Sequence, residues 1–354
     1  MEKEKISFII PAYNSEKIII KCLDNICIDI DENNMSKNVE VLVIENGSKD
    51  QTTKKVSEYI KKNKKYNIQL LHSDQGVSKA RNKGIKHSIG EYLIFVDSDD
   101  YWLKGSLKRI ENDIKETNAD LYAYSFIKGT NSQSESECIK NIHESELLQD
   151  YNLEDKIAWF LSKPTARAQV WAKVFKRDII IKENLNYNEE LRYSEDSEFL
   201  IRYLFLCQKI EISSHTIYKY VISSSSVMHT FDETRISGYI NSMEISEKYI
   251  ENKSEKIKKA FAKYVMAHLN IILVHNVFEA KRKIFKNRIF KKSFKTMNQI
   301  FNNRIFKENL KLLTVKDCLE KNLLPQLFYK AHLSILTAIL CYIKSYINLK
   351  NETN

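Results

Sequence analysis

The sequence is short of the residues that bend, break or cross-link a chain. Its 354 residues include only 7 Gly and 3 Pro, so no flexible or polyproline linker marks off one region from another. The 6 Cys form no C-x-x-C pair and no zinc-ligand spacing, which leaves neither a zinc site nor a disulfide framework to expect. Reduced thiols in a cytoplasmic protein follow from that usage. Met1–Lys5 is charged and runs straight into an apolar segment, unlike a signal peptide. The uncharged run Ala331–Ile343 has 13 residues, too few to span a bilayer core of about 30 Å. No G-x-G-x-x-G follows the first apolar segment and no G-x-x-x-x-G-K-[ST] occurs, which removes support for a nicotinamide, flavin or P-loop site.

What is present suffices for a large globular core. Hydrophobic residues make up 43% of the chain, too many for a disordered protein. The net charge of +10 is unevenly spread: residues 240–354 hold 22 basic and 9 acidic residues, while the rest is slightly acidic. A basic C-terminal third implies an anionic neighbour.

The first hundred residues alternate buried-strand and helix patterns. Ile6–Ile10 is an apolar run that stops at Pro11-Ala12-Tyr13-Asn14, with Ser15 as the expected cap of the next helix. Val39–Ile44 is a second such run, and Ile68–Leu71 a third. Ser78 is the expected cap of a further helix, which Gly90 closes. The fourth run, Leu93–Val96, has no amphipathic alternation and reads as a central strand. Repeated strand–helix units predict a parallel sheet covered by helices, with ligands bound at the carboxyl ends of the strands.

The fourth run ends in Asp97-Ser98-Asp99-Asp100. Carboxylates this close repel one another unless a cation or other partners sit between them. Asp-x-Asp after a buried strand therefore suggests a divalent-metal site, against the plainer reading of an acidic turn before a helix. Beyond Tyr101 come a helix at Leu107–Thr117, strands at Leu121–Ile127, Ile210–Ile212 and Ile217–Ile222, and a helix at Phe199–Leu206. From Gly238 the pattern is helical: Ile245–Ile250, Ile257–Phe278, Ile284–Phe306 and Leu324–Leu349. The expected division is a catalytic domain over 1–237, with halves at 1–103 and 104–237, and a basic helical region over 238–354.

Four segments in order, Ser7–Asn14, Asn46–Asp50, Gly76–Gly84 and Phe95–Asp100, resemble the family 2 glycosyltransferases. The likeness extends through Trp171-Ala172-Lys173 and Ser194-Glu195-Asp196, over roughly the first 230 residues. The resemblance implies the α/β nucleotide-sugar-binding fold called GT-A. It implies that Pro11, Ala12, Tyr13, Glu45 and Asn46 line the nucleotide pocket, with Ser78, Arg81 and Ser98 on the donor side. Asp97 and Asp99 would hold Mn2+ or Mg2+ on the sugar diphosphate, and Asp196 would be the base. One departure concerns the acid that commonly precedes Gly-Ser in the family: here it is Asn46, an amide that offers both donors and an acceptor. The Q-x-x-R-W motif of processive members is absent, so one sugar per encounter is expected.

The expected activity is therefore a metal-dependent, inverting transfer from a UDP-linked sugar to a bacterial surface glycan, with a saccharide or lipid-linked glycan as acceptor. Residues outside the motifs keep two readings each. Glu195 could orient Asp196, touch the acceptor or be solvated; Asp196 could instead cap its helix. His229 could be a metal or phosphate ligand, or structural. Trp102 and Trp171 read as core. Lys281–Lys292 interleaves basic residues with Ile and Phe, as a helix on an anionic membrane surface would; a solvated basic face explains it equally, and the apolar tail helices also suit a homodimer. The competing functions are a sugar-phosphate nucleotidyltransferase, which would carry a Gly-rich, Lys-containing loop where this chain has Pro11–Asn14, and a basic nucleic-acid-binding module. The second leaves the buried-strand carboxylates unexplained, so no nucleic-acid partner is expected.

Overall fold

The computed structural model describes residues 5–130, 132–142, 151–222, 234–279, 287–320 and 323–353. The strands are β1 (Ile6–Ala12), β2 (Val39–Glu45), β3 (Asn67–His72), β4 (Tyr92–Phe95), β5 (Tyr101–Trp102), β6 (Leu121–Gly129), β7 (Ile139–Lys140), β8 (Lys173–Lys176) and β9 (Ile210–Val221). The first helices are α1 (Ile19–Glu32), α2 (Thr52–Lys62), α3 (Val77–His87), α4 (Ser106–Thr117), α5 (Leu153–Ser162), α6 (Pro164–Arg167) and α7 (Arg177–Lys182). They are followed by α8 (Glu195–Leu204), α9 (Arg235–Glu247), α10 (Glu255–Ile272), α11 (Asn287–Phe301) and α12 (Arg304–Leu312). The chain closes with α13 (Val315–Cys318), α14 (Leu324–Lys330) and α15 (Ser334–Thr353).

By packing, the chain forms two compact units. One comprises Met1–Leu153, Gln169–Glu190 and Arg202–Ser223; the other Glu154–Ala168, Leu191–Ile201 and Ser224–Asn354.

The first unit is built on a mixed sheet in the order β3-β2-β1-β4-β8-β6-β9-β5, with β7 beside β6. β3, β2, β1 and β4 run parallel, as the strand–helix alternation predicts. β1, β2 and β4 are buried along their whole length, which is why they read as unbroken apolar runs. The α3 helix lies close on β1 and β2 because Gly84 has no side chain. A Cβ there would stand 2.4 Å from Ile9 Cγ2 and 3.1 Å from Ile44 Cδ1, so substitution would push the helix off the sheet.

Local detail departs from expectation where side chains had a better partner. Ser15 does not cap α1: its hydroxyl bonds Tyr13 O at 3.2 Å and meets Ser98 Oγ at 2.7 Å. Nor does Ser78 cap α3, which starts after Gly76 and ends at His87, before Gly90. The two strands expected over 210–222 are one strand, β9, running parallel to β6 through a register shift between Ala123 and Phe126. The α4 helix begins at Ser106, one residue before the expected Leu107, and ends at Thr117 as expected.

The second unit is helical. α10 packs against α9 and α12, and α14 against α15. Past Ile272, α10 continues as a π-helical turn over Leu273–Val277, in which Phe278 N–H reaches back to Leu273 O at 2.8 Å. The expected Ile284–Phe306 helix is two, α11 and α12, because Asn303 accepts from Ile305 N–H and starts a new helix. Leu324–Leu349 is likewise broken at His332, which has φ 61°.

His268 lies fully inside this unit on α10, with Nδ1 2.9 Å from Tyr264 O. Burial pulls its imidazole down from 6.5 to about 4. The folded chain thus keeps it neutral while the unfolded chain protonates below 6.5. This stabilisation is complete above that pH and is lost as pH falls through about 4; such a shift is on the order of 3 kcal/mol. Scanning calorimetry of His268→Gln should show a flatter fall in unfolding temperature across that range than wild type. An unchanged slope would count against neutral burial.

Candidate donor-binding site

The carboxyl ends of β1, β2 and β4 carry the predicted residues of the first unit to one edge. β1 lies between β2 and β4, so Ala12 pairs with Glu45 and Ile9 with Phe95. Pro11 and Ala12 are buried in the strand, whereas Tyr13 is exposed just past it. Asn14 binds the loop after β2: its backbone N–H donates to Ser48 Oγ at 3.1 Å, and its Oδ1 accepts from Lys49 N–H at 2.9 Å. Gly47, at φ 88°, allows the tight turn that brings this loop back.

Glu45 is occupied by its own loop. It accepts from Ser48 N–H, and His72 Nδ1 lies 3.0 Å from its other oxygen. Burial pushes the Glu45 carboxyl upward, but these bonds outweigh it and hold the group below the usual range. Asn46 differs. Only 5% of it is exposed, and its side-chain Oδ1 has no hydrogen-bond partner among the described residues. A buried amide oxygen left open costs about 1–3 kcal/mol unless something else satisfies it. Ser78 Oγ on α3 is a second buried, unpartnered polar atom.

The three carboxylates after β4 are answered one by one. Arg81, buried on α3, donates from Nη2 to Asp97 Oδ1 at 3.1 Å. Asp100 is buried and accepts from Tyr218 Oη–H at 2.7 Å and from Val221 N–H at 2.8 Å. The Tyr218 oxygen in turn accepts from Asp97 N–H at 3.1 Å. Burial, then the charges of Asp97 and Asp99, push the Asp100 carboxyl well above its ordinary value. Asp99 reaches solvent; the protein packed around it, then the Asp97 charge, raise its carboxyl as well. Ser98, between them, is buried against Ser15.

Asp97 and Asp99 are the carboxylates that this edge offers a divalent cation. Asp97 and Asp99 present carboxylate oxygens whose mutual repulsion raises Asp99, and a cation relieves such repulsion. Among the described residues no group of three or more His, Cys, Asp or Glu is arranged to hold a metal. The pair therefore fits a Mg2+- or Mn2+-like ion that takes one or two protein carboxylates and completes its shell with phosphate oxygens. It does not fit an all-protein cage.

The remaining predicted residues are elsewhere. Glu195 and Asp196 open the first turn of α8, after Ser194 at φ 58°, in the part of α8 that belongs to the second unit. His229 lies outside the described residues. Trp102 and Trp171 are core: Trp102 donates to Asp29, and Trp171 stacks on Tyr218 with ring centroids 4.9 Å apart. Sequence reasoning missed Tyr218 and Asp29. The only signal for Tyr218 was its place in an alternating Tyr218–Lys219–Tyr220 stretch, which reads as ordinary strand.

The family model described as Glycosyl transferase family 2 matches residues 7–170. The chain is 25% identical to EpsH of Bacillus subtilis over 285 residues, 78% of either chain. It is 30% identical over 216 residues to the poly(ribitol-phosphate) beta-N-acetylglucosaminyltransferase TarS of Staphylococcus aureus, covering 61% of this chain but 35% of that one. The structure of S. aureus TarS 1–349 in complex with UDP-GlcNAc superposes with a TM-score of 0.65 at 19% identity, over 98% of this chain and 92% of that one. A mannosyltransferase from Pyrobaculum calidifontis in complex with GDP-Man and Mn2+ superposes with a TM-score of 0.55 at 13% identity, over 97% and 88% of the two chains. The fold is the GT-A type anticipated from the motifs, followed by helices.

Tyr218→Phe removes a donor from buried Asp100 and the acceptor of Asp97 N–H. Denaturant unfolding should show a loss of about 1–3 kcal/mol. An unchanged unfolding free energy would show that the Tyr218 hydroxyl does not hold the turn after β4.

Proposed function

Since this chain is a glycosyltransferase belonging to family 2, we propose that it transfers a single sugar from a UDP-linked donor, with a divalent cation, to a growing surface glycan. The observation that carries the reading is the pairing at one sheet edge of Asn46, a buried amide with an open oxygen, and the crowded Asp97–Asp99 carboxylates. An open Asn46 Oδ1 suits the imino N–H of a uracil ring, which an Asp at this position would also accept. The exposed Tyr13 ring and the Asn14–Ser48 clasp form the lip of this edge. Arg81, held on α3 against Asp97, orients that carboxylate for a cation.

A divalent cation, when bound, supplies Lewis-acid stabilisation of the negative charge that builds on the leaving nucleoside diphosphate. The chain's own part is to hold the donor and to accept a proton. Asp196 takes the proton of the acceptor hydroxyl as that oxygen attacks the anomeric carbon, a contribution of about 10²- to 10⁴-fold. Attack with one base and no covalent intermediate inverts the anomeric centre. Glu195 supports Asp196. The relatives named for poly(ribitol-phosphate) transfer favour a cell-envelope glycan as acceptor.

A thermal-shift screen of UDP-, GDP- and CDP-sugars, with and without Mn2+, tests the donor side. The unfolding temperature should rise with one nucleotide only, and UDP is expected; the rise should need both Mn2+ and Asp99, failing in Asp99→Ala. A GDP response would reassign the base, and no response to any nucleotide would remove the proposal. On the acceptor side, Asp196→Asn should lower kcat by about 10²-fold or more while the nucleotide-dependent shift persists. A near-normal kcat would leave Asp196 as one of the acidic residues that favour the first turn of α8.

A further inference from the structure

The last helix of the second unit is turned inside out. On α15 the side chains facing the protein are small or polar: Thr337, Ala338 and Cys341 are wholly buried and Ser345 nearly so. Thr337 Oγ1 donates to Pro325 O at 3.0 Å, which fixes this face against α14. The large aliphatic side chains point away. Leu336, Leu340, Ile343 and Ile347 recur at helical spacing along one outward stripe, joined at its side by Ile335 and Tyr346. Ile335 is 62% exposed, Ile343 47% and Ile347 51%. A soluble helix with its smaller side chains inward and its aliphatic side chains in water needs another apolar phase on the outside.

Charge decides between the two phases available. From residue 321 to the end of α15 the chain has four lysines, Lys321, Lys330, Lys344 and Lys350, and one acid, Glu352, past the end of the stripe. Lys344 is exposed beside the stripe. The same unit exposes Lys291, Lys292 and Lys295 on α11, a helix that packs against α15. A second copy of this chain across a two-fold axis would set this stripe against itself and bring a segment of four lysines and one acid against its like-charged equivalent. A bilayer surface bearing anionic headgroups offers both an apolar layer for the stripe and counter-charge for the lysines. Among the described residues no helix is long and apolar enough to cross a membrane, so the attachment is along the surface.

We infer that α15 is a membrane-surface helix: its Leu336–Ile347 stripe inserts into the acyl boundary of an anionic leaflet, with Lys344 and the α11 lysines at the headgroups. This surface is independent of the donor reading, since it uses none of its residues.

The full chain is floated with vesicles of phosphatidylcholine alone and of phosphatidylcholine mixed with phosphatidylglycerol. It should rise with the mixed vesicles, less so at high salt, and little with the neutral ones. Ile343→Glu/Ile347→Glu should reduce that partition by about tenfold or more while leaving the unfolding temperature and nucleotide response unchanged, since both side chains are exposed. In a second variant, Tyr346→Trp, fluorescence should move to the blue on adding the mixed vesicles. Failure of wild type to float with either vesicle overturns the inference, as does a glutamate variant that floats like wild type or a tryptophan that does not shift. Sedimentation velocity that finds a wild-type dimer split by the glutamate pair assigns the stripe to a second copy and equally overturns it.

Discussion

Three carboxylates within four residues at the end of a buried strand set the terms for the first unit. Left alone, Asp97, Asp99 and Asp100 would repel one another in a poorly solvated place. The fold answers by drawing a different element to each. α3 brings Arg81 to Asp97, and β9 brings Tyr218 and the Val221 amide to Asp100. Tyr218 is the pivot, since its hydroxyl donates to Asp100 and accepts from Asp97 N–H. Its ring is wedged by the stacked Trp171. The sheet beyond β4 is thereby tied to the turn after β4, and Tyr101–Trp102 pairs with β9 directly behind it. Asp99 is left facing solvent with a raised carboxyl, the state that a bound cation would relieve.

A second buried carboxylate does structural work of the same kind. Asp29, on α1 and fully buried, accepts from Trp102 Nε1–H at 2.8 Å, Gly105 N–H at 2.6 Å and Leu107 N–H at 2.8 Å. It caps α4 from a different helix, replacing the side-chain cap that Gly105 lacks. Burial raises its carboxyl in spite of the three bonds. α1, the acidic turn's exit and the start of α4 are therefore fixed by one side chain, and the helix stands over the sheet in a set position.

These two carboxylates show what the sequence could and could not reveal. The parallel strands were legible because each is buried on both faces, so its residue types need only be apolar. The catalytic-edge motifs were legible because they lie immediately after those strands. Asp29 and Tyr218 were not, because their partners are 73 or more residues away in sequence and nothing local distinguishes them. Ser15 and Ser78 misled for the opposite reason: each sits where a helix cap belongs, yet tertiary contacts claimed the Ser15 hydroxyl and burial took Ser78. The polar stretch Ser213-Ser214-His215 looked like a break between strands. It is instead the register shift within β9, lying between the β6 pairings Ala123–Ile212 and Ser125–Thr216. Whole helices in the tail were visible by period, but their ends were not, since Asn303 and His332 act through backbone geometry that periodicity does not register.

The amide at position 46 fits this charge economy. An acid there would add a further negative group to an edge that already holds Glu45, Asp97, Asp99 and Asp100, the edge proposed above for an anionic diphosphate. Glu45 accepts from the Ser48 amide and lies against His72, Asp97 is paired with Arg81, and Asp100 accepts from Tyr218. Each of these needed a dedicated partner. Asn46 needs none, because an amide carries an acceptor oxygen without the repulsion. Its unsatisfied Oδ1 then has a physical meaning. On the proposed reading a donor N–H completes this acceptor, whereas a carboxylate in the same place would add charge where an anionic donor has to approach.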